Sequence, residues 1–402
     1  MIIGIPKEIK DHEYRVALTP RSVSSLVRSG SKVFVESQAG MKSGFSDDEY
    51  ISAGASIASS PSELYAECDL IVKVKELQVW KGEHASIRPH HTIFGFNHFE
   101  SSRELTEAAV KSRATFISFE KVVDEKGQTP LLMPMSRIAG AIAGIWAGFF
   151  LNYAFRHDKC IRLKAGADQV KSKFVNNFEQ IIDAGDSNNS GTGIDNELRR
   201  MLSLQDKTVI IFGGGTVGEA AAKVCSALGA KITIVEKREG RRKYLQELSL
   251  PRCSVVAAVE KDILRSAYVM IGSTYDKEKA DKVVDENLLR EISEMRKKTI
   301  IDVSVDQGGN FPYIDPNGIY SPSSIGTILN PAQTDYFGNI FIRVPNIPSL
   351  VPRYASMELS SIISDYVREI ANDSMRPELV RAVSIKDGKI LDPAILKAHN
   401  LE

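Results

Sequence analysis

Short apolar runs alternate along the chain with longer segments in which apolar residues recur at helical spacing. Before residue 125 the apolar runs predict strands at residues 2–6, 32–36, 70–76, 92–98 and 115–122. Helices are predicted between them, from Thr19 as N-cap to Gly30 and over residues 46–54 and 101–113. This alternation is typical of a mostly parallel sheet with helices on both faces.

A second alternation begins near Lys207. Its apolar runs predict strands at residues 209–212, 231–237, 254–259, 268–273 and 298–305. We therefore predict an α/β protein made of two Rossmann-like doubly wound domains with a cleft between them. Residues 1–135 plus 336–402 are expected to form one domain, and residues 136–335 the other, which includes an irregular insertion at 156–206.

An apolar segment connects the two alternations. Residues 138–151 contain no polar side chain, yet these fourteen residues are fewer than the roughly 18 to 20 that span a bilayer. Gly140, Gly144 and Gly148 lie four residues apart and therefore share one face of a helix. We expect a buried helix whose glycine face packs closely, and no membrane partner. A helix predicted at 356–372 is expected to cross back between the domains.

The composition narrows the range of partners. The 402 residues suffice for two domains, and 51 basic residues balance 51 acidic ones, so nucleic acid is not an expected partner. The cysteines are widely spaced and form no CxxC pair: Cys68, Cys160, Cys225 and Cys253. This spacing favours free thiols in a cytoplasmic protein over disulfides or a metal site.

A glycine-rich turn follows the first strand of the second alternation. The GxGxxG pattern is weak alone, but here it follows a predicted strand and opens a helix, the context of a dinucleotide-binding turn. The first glycine allows a tight turn, the second lets a pyrophosphate approach the backbone, and the third lets helix and strand pack closely. The residues expected to hold the cofactor here are Gly213, Gly215, Thr216, Val217 and Gly218.

Glu236 lies at the end of the next predicted strand, eighteen residues after Gly218. A carboxylate there accepts hydrogen bonds from both hydroxyls of an adenosine ribose and repels a 2′-phosphate. The sequence therefore predicts NAD rather than NADP as the cofactor. That preference is weakened by the basic residues that follow: Lys237, Arg238, Arg241 and Arg242.

Polar residues stand at or near the carboxyl ends of several predicted strands. They are Arg15 after the first strand, Lys75 at the end of the third, His98 at the end of the fourth and Asp306 after the strand at 298–305. Ligands of an open α/β sheet bind at the carboxyl ends of its strands, so these four are candidate site residues. A lone histidine is more often structural. His98 is a candidate because three other polar residues also stand at or near the carboxyl ends of predicted strands.

Lys73 raises a separate question. It lies two residues before Lys75, so in a strand both ammonium groups would project from the same face. A buried lysine without a partner is costly. The sequence assigns Lys73 no role, and its side chain is expected to extend to solvent.

Several segments resemble the alanine dehydrogenase and pyridine nucleotide transhydrogenase family, in order and along nearly the whole chain. They are IGIPKEIKDHEYRVALTP, IVKVKE, LLMPMSRIAG, the glycine turn, IDVSVDQGG and NIPSLVPR. The motifs RVALTP, KVKE and DQGG are the most specific, and the resemblance is weakest between residues 156 and 206. It implies a substrate domain at 1–135 plus 336–402 and an NAD-binding domain at 136–335.

The resemblance also implies roles for individual residues. Arg15 would bind the substrate carboxylate, and Lys75 would contact that carboxylate or the keto oxygen. His98 would be the general acid and base, and Asp306 would lie beside the reacting carbon. Family positions that contact NAD are matched by Ser136 and Asn346.

The first activity that the resemblance implies is oxidation of alanine to pyruvate and ammonium, with a small amino acid and a 2-keto acid as substrates. Residues 325–356 resemble saccharopine dehydrogenases equally well, so an enzyme that joins an amino acid to a keto acid is an alternative. A non-catalytic transhydrogenase-like NAD module is another, although such modules lack a histidine at the position of His98. Relatives include hexamers and monomers, which leaves a homo-oligomer open.

Overall fold

The computed structural model describes residues 1–154, 200, 202–275, 280, 282–305, 308–314 and 332–401. The chain divides into two compact units, Met1–Met135 with Pro348–Glu402, and Ser136–Ile347. Most of the insertion predicted at 156–206 lies outside the described residues, and so does Asp306.

The strands, in chain order, are β1 (Ile3–Ile5), β2 (Val33–Glu36), β3 (Ser56–Ala58), β4 (Leu70–Val72), β5 (Thr92–Gly95), β6 (Thr115–Ser118), β7 (Thr208–Phe212), β8 (Lys231–Val235), β9 (Cys253–Val256), β10 (Val269–Gly272), β11 (Thr299–Asp302), β12 (Ala332–Thr334), β13 (Ile340–Ile342), β14 (Val383–Lys386) and β15 (Lys389–Ile390). The α-helices are α1 (Pro20–Arg28), α2 (Asp47–Ser52), α3 (Pro61–Glu67), α4 (Arg103–Ser112), α5 (Met133–Ala154), α6 (Thr216–Ala227), α7 (Glu239–Glu247), α8 (Lys261–Ser266), α9 (Glu286–Met295), α10 (Pro352–Ala371), α11 (Pro377–Arg381) and α12 (Pro393–His399).

The first unit contains an eight-stranded sheet in the order β15-β14-β6-β5-β4-β1-β2-β3. Strands β1 to β6 are parallel. Their order, 3-2-1-4-5-6, is that of a doubly wound Rossmann-like sheet. Strand β14 runs antiparallel to β6, and β15 runs antiparallel to β14. The core of this unit includes Leu64, Ile71, Ile93 and Phe116, all buried.

The second unit contains a seven-stranded sheet in the order β12-β13-β11-β10-β7-β8-β9. All its pairs are parallel except that between β12 and β13. The parallel strands again follow the doubly wound order. Buried residues such as Ile210, Met270, Ile300 and Phe341 form its core. The predicted α/β class with two Rossmann-like folds is confirmed.

Local sequence signals set the ends of the first two helices. Helix α1 begins at Pro20, where proline's missing N–H costs no helical hydrogen bond, and Gly30 follows its end with a φ of +92°. The side chain of Ser46 accepts from the backbone N–H of Glu49, and the Glu49 carboxylate accepts from Ser46 N at 2.7 Å. This capping box starts α2 where the acidic turn predicted it.

The apolar helix α5 packs through its glycine face. A Cβ at Gly140 would lie 2.1 Å from the carbonyl oxygen of Val217, and one at Gly144 would lie 2.8 Å from Cβ of Val224. Glycine is therefore needed for the close approach to α6, as the spacing predicted. The span Met133–Asn152 is long and apolar enough to cross a membrane, but 89% of its most apolar part is buried inside the protein. Burial of that extent is also found in core helices.

The strand predicted at residues 70–76 is shorter than expected. Strand β4 ends at Val72, because the N–H of Val74 donates to the carboxylate of Glu8 at 2.5 Å instead of to a neighbouring strand. Lys73 and Lys75 therefore lie in the loop that follows β4. The three-residue edge strand β3 was not predicted, and it makes β4 the fourth strand of the unit rather than the third.

The predicted free thiols are found for three cysteines. Cys68 and Cys225 are buried and Cys253 is half-buried, and none of the three forms a disulfide. Cys160 lies outside the described residues.

Candidate active site

Charged residues gather at the carboxyl edge of the first unit's sheet. Strands β6, β5, β4 and β1 are neighbours and run parallel, so the loops after them meet at one edge. The charged residues of these loops include Glu8, Glu13, Arg15, Lys73, Lys75, Glu76, His98 and Glu120.

Arg15 is buried and is held by Glu13. Its Nε and Nη2 donate to the two carboxylate oxygens of Glu13 at 2.8 and 2.6 Å, and its backbone N–H donates to the same residue at 2.9 Å. Nη1 points toward Met135, with 3.0 Å to its sulfur. Burial alone would raise the pKa of Glu13, but the guanidinium outweighs it and lowers the pKa to about 2. Glu13 is therefore ionised at neutral pH.

Lys75 is half-buried next to this pair. Its ammonium makes no hydrogen bond or ion pair with any residue that the structure describes. Burial and then the positive charge of Arg15 lower the pKa of Lys75. An anion that bound here would meet two cations, Arg15 and Lys75. Of these, Lys75 forms no ion pair with a carboxylate in the described part of the chain.

Lys73 is buried and paired, so the expectation that it extends to solvent is wrong. Its Nζ lies 2.5 Å from Oε1 of Glu83 and 3.8 Å from Oε2 of Glu8. Burial opposes the charge of Lys73, but Glu8 and Glu83 outweigh burial and raise its pKa. The charge persists in the interior because two carboxylates offset its desolvation.

His98 adopts a left-handed backbone conformation, with a φ of +46°. Its backbone N–H donates to Oε1 of Glu120 at 2.7 Å, and its ring stacks on Phe96 with 5.8 Å between centroids and 6° between planes. Its side chain is 39% exposed, and its Nδ1 lies 3.8 Å from Glu120. Burial and then the charge of Lys75 hold the pKa of His98 well below its usual range. The imidazole is neutral at pH 7 and can accept a proton.

Two further carboxylates of this edge were not predicted from the sequence. Glu76 pairs with Lys10 at 2.5 Å, and Lys75 and Lys10 overcome its burial and lower its pKa to about 2. Glu120 has no nearby cation of comparable effect, so burial raises its pKa to about 7. Each has a buried Oε2 without a hydrogen bond among the described residues. Both could have been found from the sequence, because each is an acidic residue at or just after the end of an apolar run.

The glycine turn of the second unit has the predicted geometry. Gly213 has a φ of +95°, a conformation that favours glycine. A Cβ at Gly218 would lie 1.8 Å from the carbonyl oxygen of Gly213, so only glycine fits there. A Cβ at Gly215 would meet no atom within 4 Å, which leaves room for a ligand at the start of α6. Thr216 and Val217 form the first turn of that helix.

Glu236 follows β8 beside the glycine turn. Its Oε2 accepts from Gly214 N at 3.0 Å, and its two oxygens accept from Arg238 Nε at 2.9 Å and Nη2 at 3.1 Å. Oε1 also accepts from Arg238 N at 2.9 Å, so these four contacts fill the roughly four acceptor positions of a carboxylate. The hydroxyls of a ribose would bind Glu236 in place of the exposed Arg238 side chain. The open face of Gly215 and this carboxylate together fit a dinucleotide. The contact between Glu236 and Arg238 was not foreseen.

The remaining predicted site residues are Ser136, Asn346 and Asp306. Ser136 lies half-buried in the first turns of α5, and Asn346 is half-buried after β13 with a φ of +58°. Both belong to the second unit. Asp306 lies outside the described residues. The structure thus brings Arg15, Lys75 and His98 to one edge, where the loops after β1, β4 and β5 meet. As a consequence, both cations lower the pKa of His98.

Comparisons with known proteins agree along the whole chain. Residues 4–139 match the alanine dehydrogenase/PNT N-terminal domain, and residues 201–393 match the corresponding C-terminal domain. The alanine dehydrogenase of Methanococcus maripaludis is 31% identical, over 100% of this chain and 97% of that protein. The alanine dehydrogenase of Geobacillus stearothermophilus is 29% identical with the same coverage.

Solved structures give the same result. An L-alanine dehydrogenase is similar with a TM-score of 0.78 and 29% identity, over 100% of both chains. A transhydrogenase from Sinorhizobium meliloti has a TM-score of 0.71 at 19% identity, over 98% of this chain and 100% of that one, a likeness of fold. The chain therefore belongs to the alanine dehydrogenase/pyridine nucleotide transhydrogenase family.

Proposed function

We propose that this protein is an NAD-dependent amino-acid dehydrogenase that converts L-alanine, NAD and water into pyruvate, ammonium, NADH and a proton. The observation that carries the proposal is the cluster of Arg15, Lys75 and His98 at one sheet edge. It occurs in a chain that matches alanine dehydrogenases over its full length. The first unit is the substrate domain in this proposal, and the second unit holds the cofactor.

Arg15 and Lys75 bind the substrate carboxylate. The Nε and Nη2 edge of Arg15 is taken by Glu13, so the carboxylate approaches the guanidinium from the side of Nη1 and Met135. Lys75 supplies the second positive charge and polarises the carbonyl or imine that forms. Two fixed cations near a keto acid favour the build-up of negative charge on its oxygen.

His98 moves protons between the substrate and water. Being neutral, it accepts a proton when water adds to the imine, and it returns one when ammonia leaves. The cations that depress its pKa in the free protein are the same ones that bind the substrate. A bound carboxylate offsets their charge and shifts the pKa of His98 back toward the working pH.

The second unit binds NAD through the glycine turn and Glu236, with Ser136 and Asn346 as further contacts. When bound, NAD takes up the hydride of the α-carbon, which is chemistry that the cofactor supplies. We propose that Asp306 lies beside the reacting carbon. Glu236 favours NAD because a 2′-phosphate would meet its negative charge. The cytoplasmic location and the oligomeric state stay predictions.

The choice of amine is tested by reductive assays with NADH. Oxidation of NADH is compared with pyruvate plus ammonium and with 2-oxoglutarate plus lysine. The proposal requires faster turnover with the first pair. Faster turnover with the second would assign the chain to the saccharopine-type reaction, the alternative that residues 325–356 suggest.

A further inference from the structure

The loop that carries Lys75 is held by a carboxylate from another strand. Glu8, 6% exposed, follows β1, and its Oε1 accepts from the N–H of Val74 at 2.5 Å and of Lys75 at 3.3 Å. A single oxygen thus binds two consecutive backbone amides. Buried backbone N–H groups need an acceptor, and this shared oxygen fixes the backbone from which Lys75 projects.

The far end of the same loop is held in a similar way. Glu83 accepts from Gln78 N at 2.7 Å through Oε2, while its Oε1 accepts from the hydroxyl of Tyr65 at 3.0 Å. Lys73 lies between the two anchors, with Nζ 2.5 Å from Glu83 and 3.8 Å from Glu8. The buried ammonium therefore joins the carboxylates that hold the loop at its start and at its end.

We propose that Glu8 is a positioning residue for the reaction, which fixes the main chain at Val74 and Lys75 and so places the Lys75 ammonium for the substrate. Lys73 supports Glu8 as the buried cation that lies close to its carboxylate and to that of Glu83. This inference rests on the proposed function, since it assigns Lys75 to substrate binding. It also accounts for two lysines in one loop: Lys75 faces the ligand, and Lys73 holds the carboxylates that shape the loop.

The charges around Glu8 agree with this role. Burial is the largest influence and raises its pKa to about 7, Lys73 lowers it, and the carboxylates of Glu13 and Glu83 raise it further. Lys73 is thus the main charge that favours the ionised form of Glu8. What positions Lys75 is the acceptor oxygen, which an uncharged amide of the same length also provides.

A matched pair of substitutions separates positioning from charge. Glu8→Gln keeps an acceptor oxygen at the same reach and removes the charge, whereas Glu8→Asp keeps the charge and withdraws the oxygens by one methylene. Positioning predicts that Glu8→Asp raises KM for pyruvate and lowers kcat, with a combined loss between about tenfold and a hundredfold. Glu8→Gln should stay within a few-fold of wild type, and both variants should bind NADH with unchanged Kd.

The opposite order, a fully active Glu8→Asp with a defective Glu8→Gln, would overturn the proposal, because charge alone would then matter. Wild-type kinetics in both variants would overturn it too. Residue-resolved hydrogen exchange of the free protein gives a readout that does not depend on turnover. The amides of Val74 and Lys75 should exchange slowly in wild type and Glu8→Gln, and faster in Glu8→Asp.

Exchange also separates this inference from the proposed function. If the wild-type chain turns over neither alanine nor pyruvate, the proposed function fails, while the exchange rates still show whether Glu8 fixes the loop. If wild type is active and the two amides exchange equally in all three proteins, the positioning role alone is refuted.

Discussion

Both carboxylate oxygens of Glu13 bind Arg15, at 2.8 Å from Nε and 2.6 Å from Nη2. The residue expected to bind the substrate is therefore already half of a buried ion pair. Glu13 orients the guanidinium and limits which of its edges a ligand can reach. Loss of Arg15 should consequently affect both the stability of the first unit and its affinity for substrate.

The two effects can be separated with a double variant. Arg15→Met removes the guanidinium that donates to both oxygens of buried Glu13, so urea unfolding should show a loss of about 3 to 5 kcal/mol. Adding Glu13→Gln removes that buried carboxylate charge and should restore most of the stability, because an amide oxygen still accepts from the backbone N–H at position 15. KM for alanine should stay high in the double variant. A double variant with wild-type KM would remove Arg15 from substrate binding.

The same substitution at Lys73 and Lys75 should have opposite consequences. Lys73→Met leaves two buried carboxylates without their cation and should cost about 3 to 5 kcal/mol of unfolding free energy. Lys75→Met removes a half-buried charge that forms no ion pair with the described residues, so its loss of unfolding free energy should be smaller, although Glu76 loses one of the two cations that lower its pKa. Its KM for pyruvate should rise and its kcat fall. Equal destabilisation by both substitutions would contradict the assignment.

His98→Ala tests the proton transfer. If the imidazole is the general acid and base, turnover should fall by roughly 10²- to 10⁴-fold. The Kd for NADH should hardly change, because the residues assigned to the cofactor belong to the second unit. Steady-state kinetics and a fluorescence titration on the purified variant give both quantities. A stable variant with wild-type turnover would exclude His98 from the mechanism.

Acid should destabilise the free protein partly through His98. Its folded-state pKa lies below the unfolded value of about 6.5, so below that pH the unfolded chain binds a proton that the folded chain does not. The contribution of neutral His98 is present above pH 6.5 and is lost as the pH falls toward its folded pKa. Between pH 7 and pH 5, the melting temperature of His98→Gln should fall less than that of wild type. An identical loss would show that His98 titrates normally.

The cofactor preference depends on Glu236 and Arg238. Wild type should bind NADH more tightly than NADPH, because Glu236 repels a 2′-phosphate. Glu236→Ala removes that charge and releases Arg238 from its two contacts, so the Kd for NADPH should fall relative to that for NADH. Isothermal titration with both nucleotides measures the ratio. Equal or tighter NADPH binding by wild type would refute the preference and point to Arg238 as a phosphate ligand.

The features that could be predicted from the sequence are those that depend on local patterns of residues. Alternating apolar runs predict both sheets, and the fixed spacing of glycines predicts the turn at Gly213 and the face of α5 that packs on α6. Arg15, Lys75 and His98 could be grouped because parallel strands end at one edge of a sheet. Each of these inferences needs only the positions of strands along the chain.

Pairings between distant residues could not be predicted in this way. Glu8 and Val74 meet across two neighbouring strands, and Lys73 meets Glu83 through the turn of a loop. Neither contact leaves a repeating pattern in the sequence. For the same reason Lys73 was wrongly expected at the surface, since an isolated lysine gives no sign of the carboxylates that neutralise it.

The most direct test of the proposed function is turnover by the isolated chain with L-alanine and NAD, measured by NADH absorbance and an ammonium assay. An alanine dehydrogenase should form NADH and ammonium in equal amounts, and both products should be lost together in Lys75→Met and His98→Ala. A chain that binds NADH tightly but forms no NADH from alanine or any other small amino acid would contradict the proposed function, and would instead support a non-catalytic NAD-binding module.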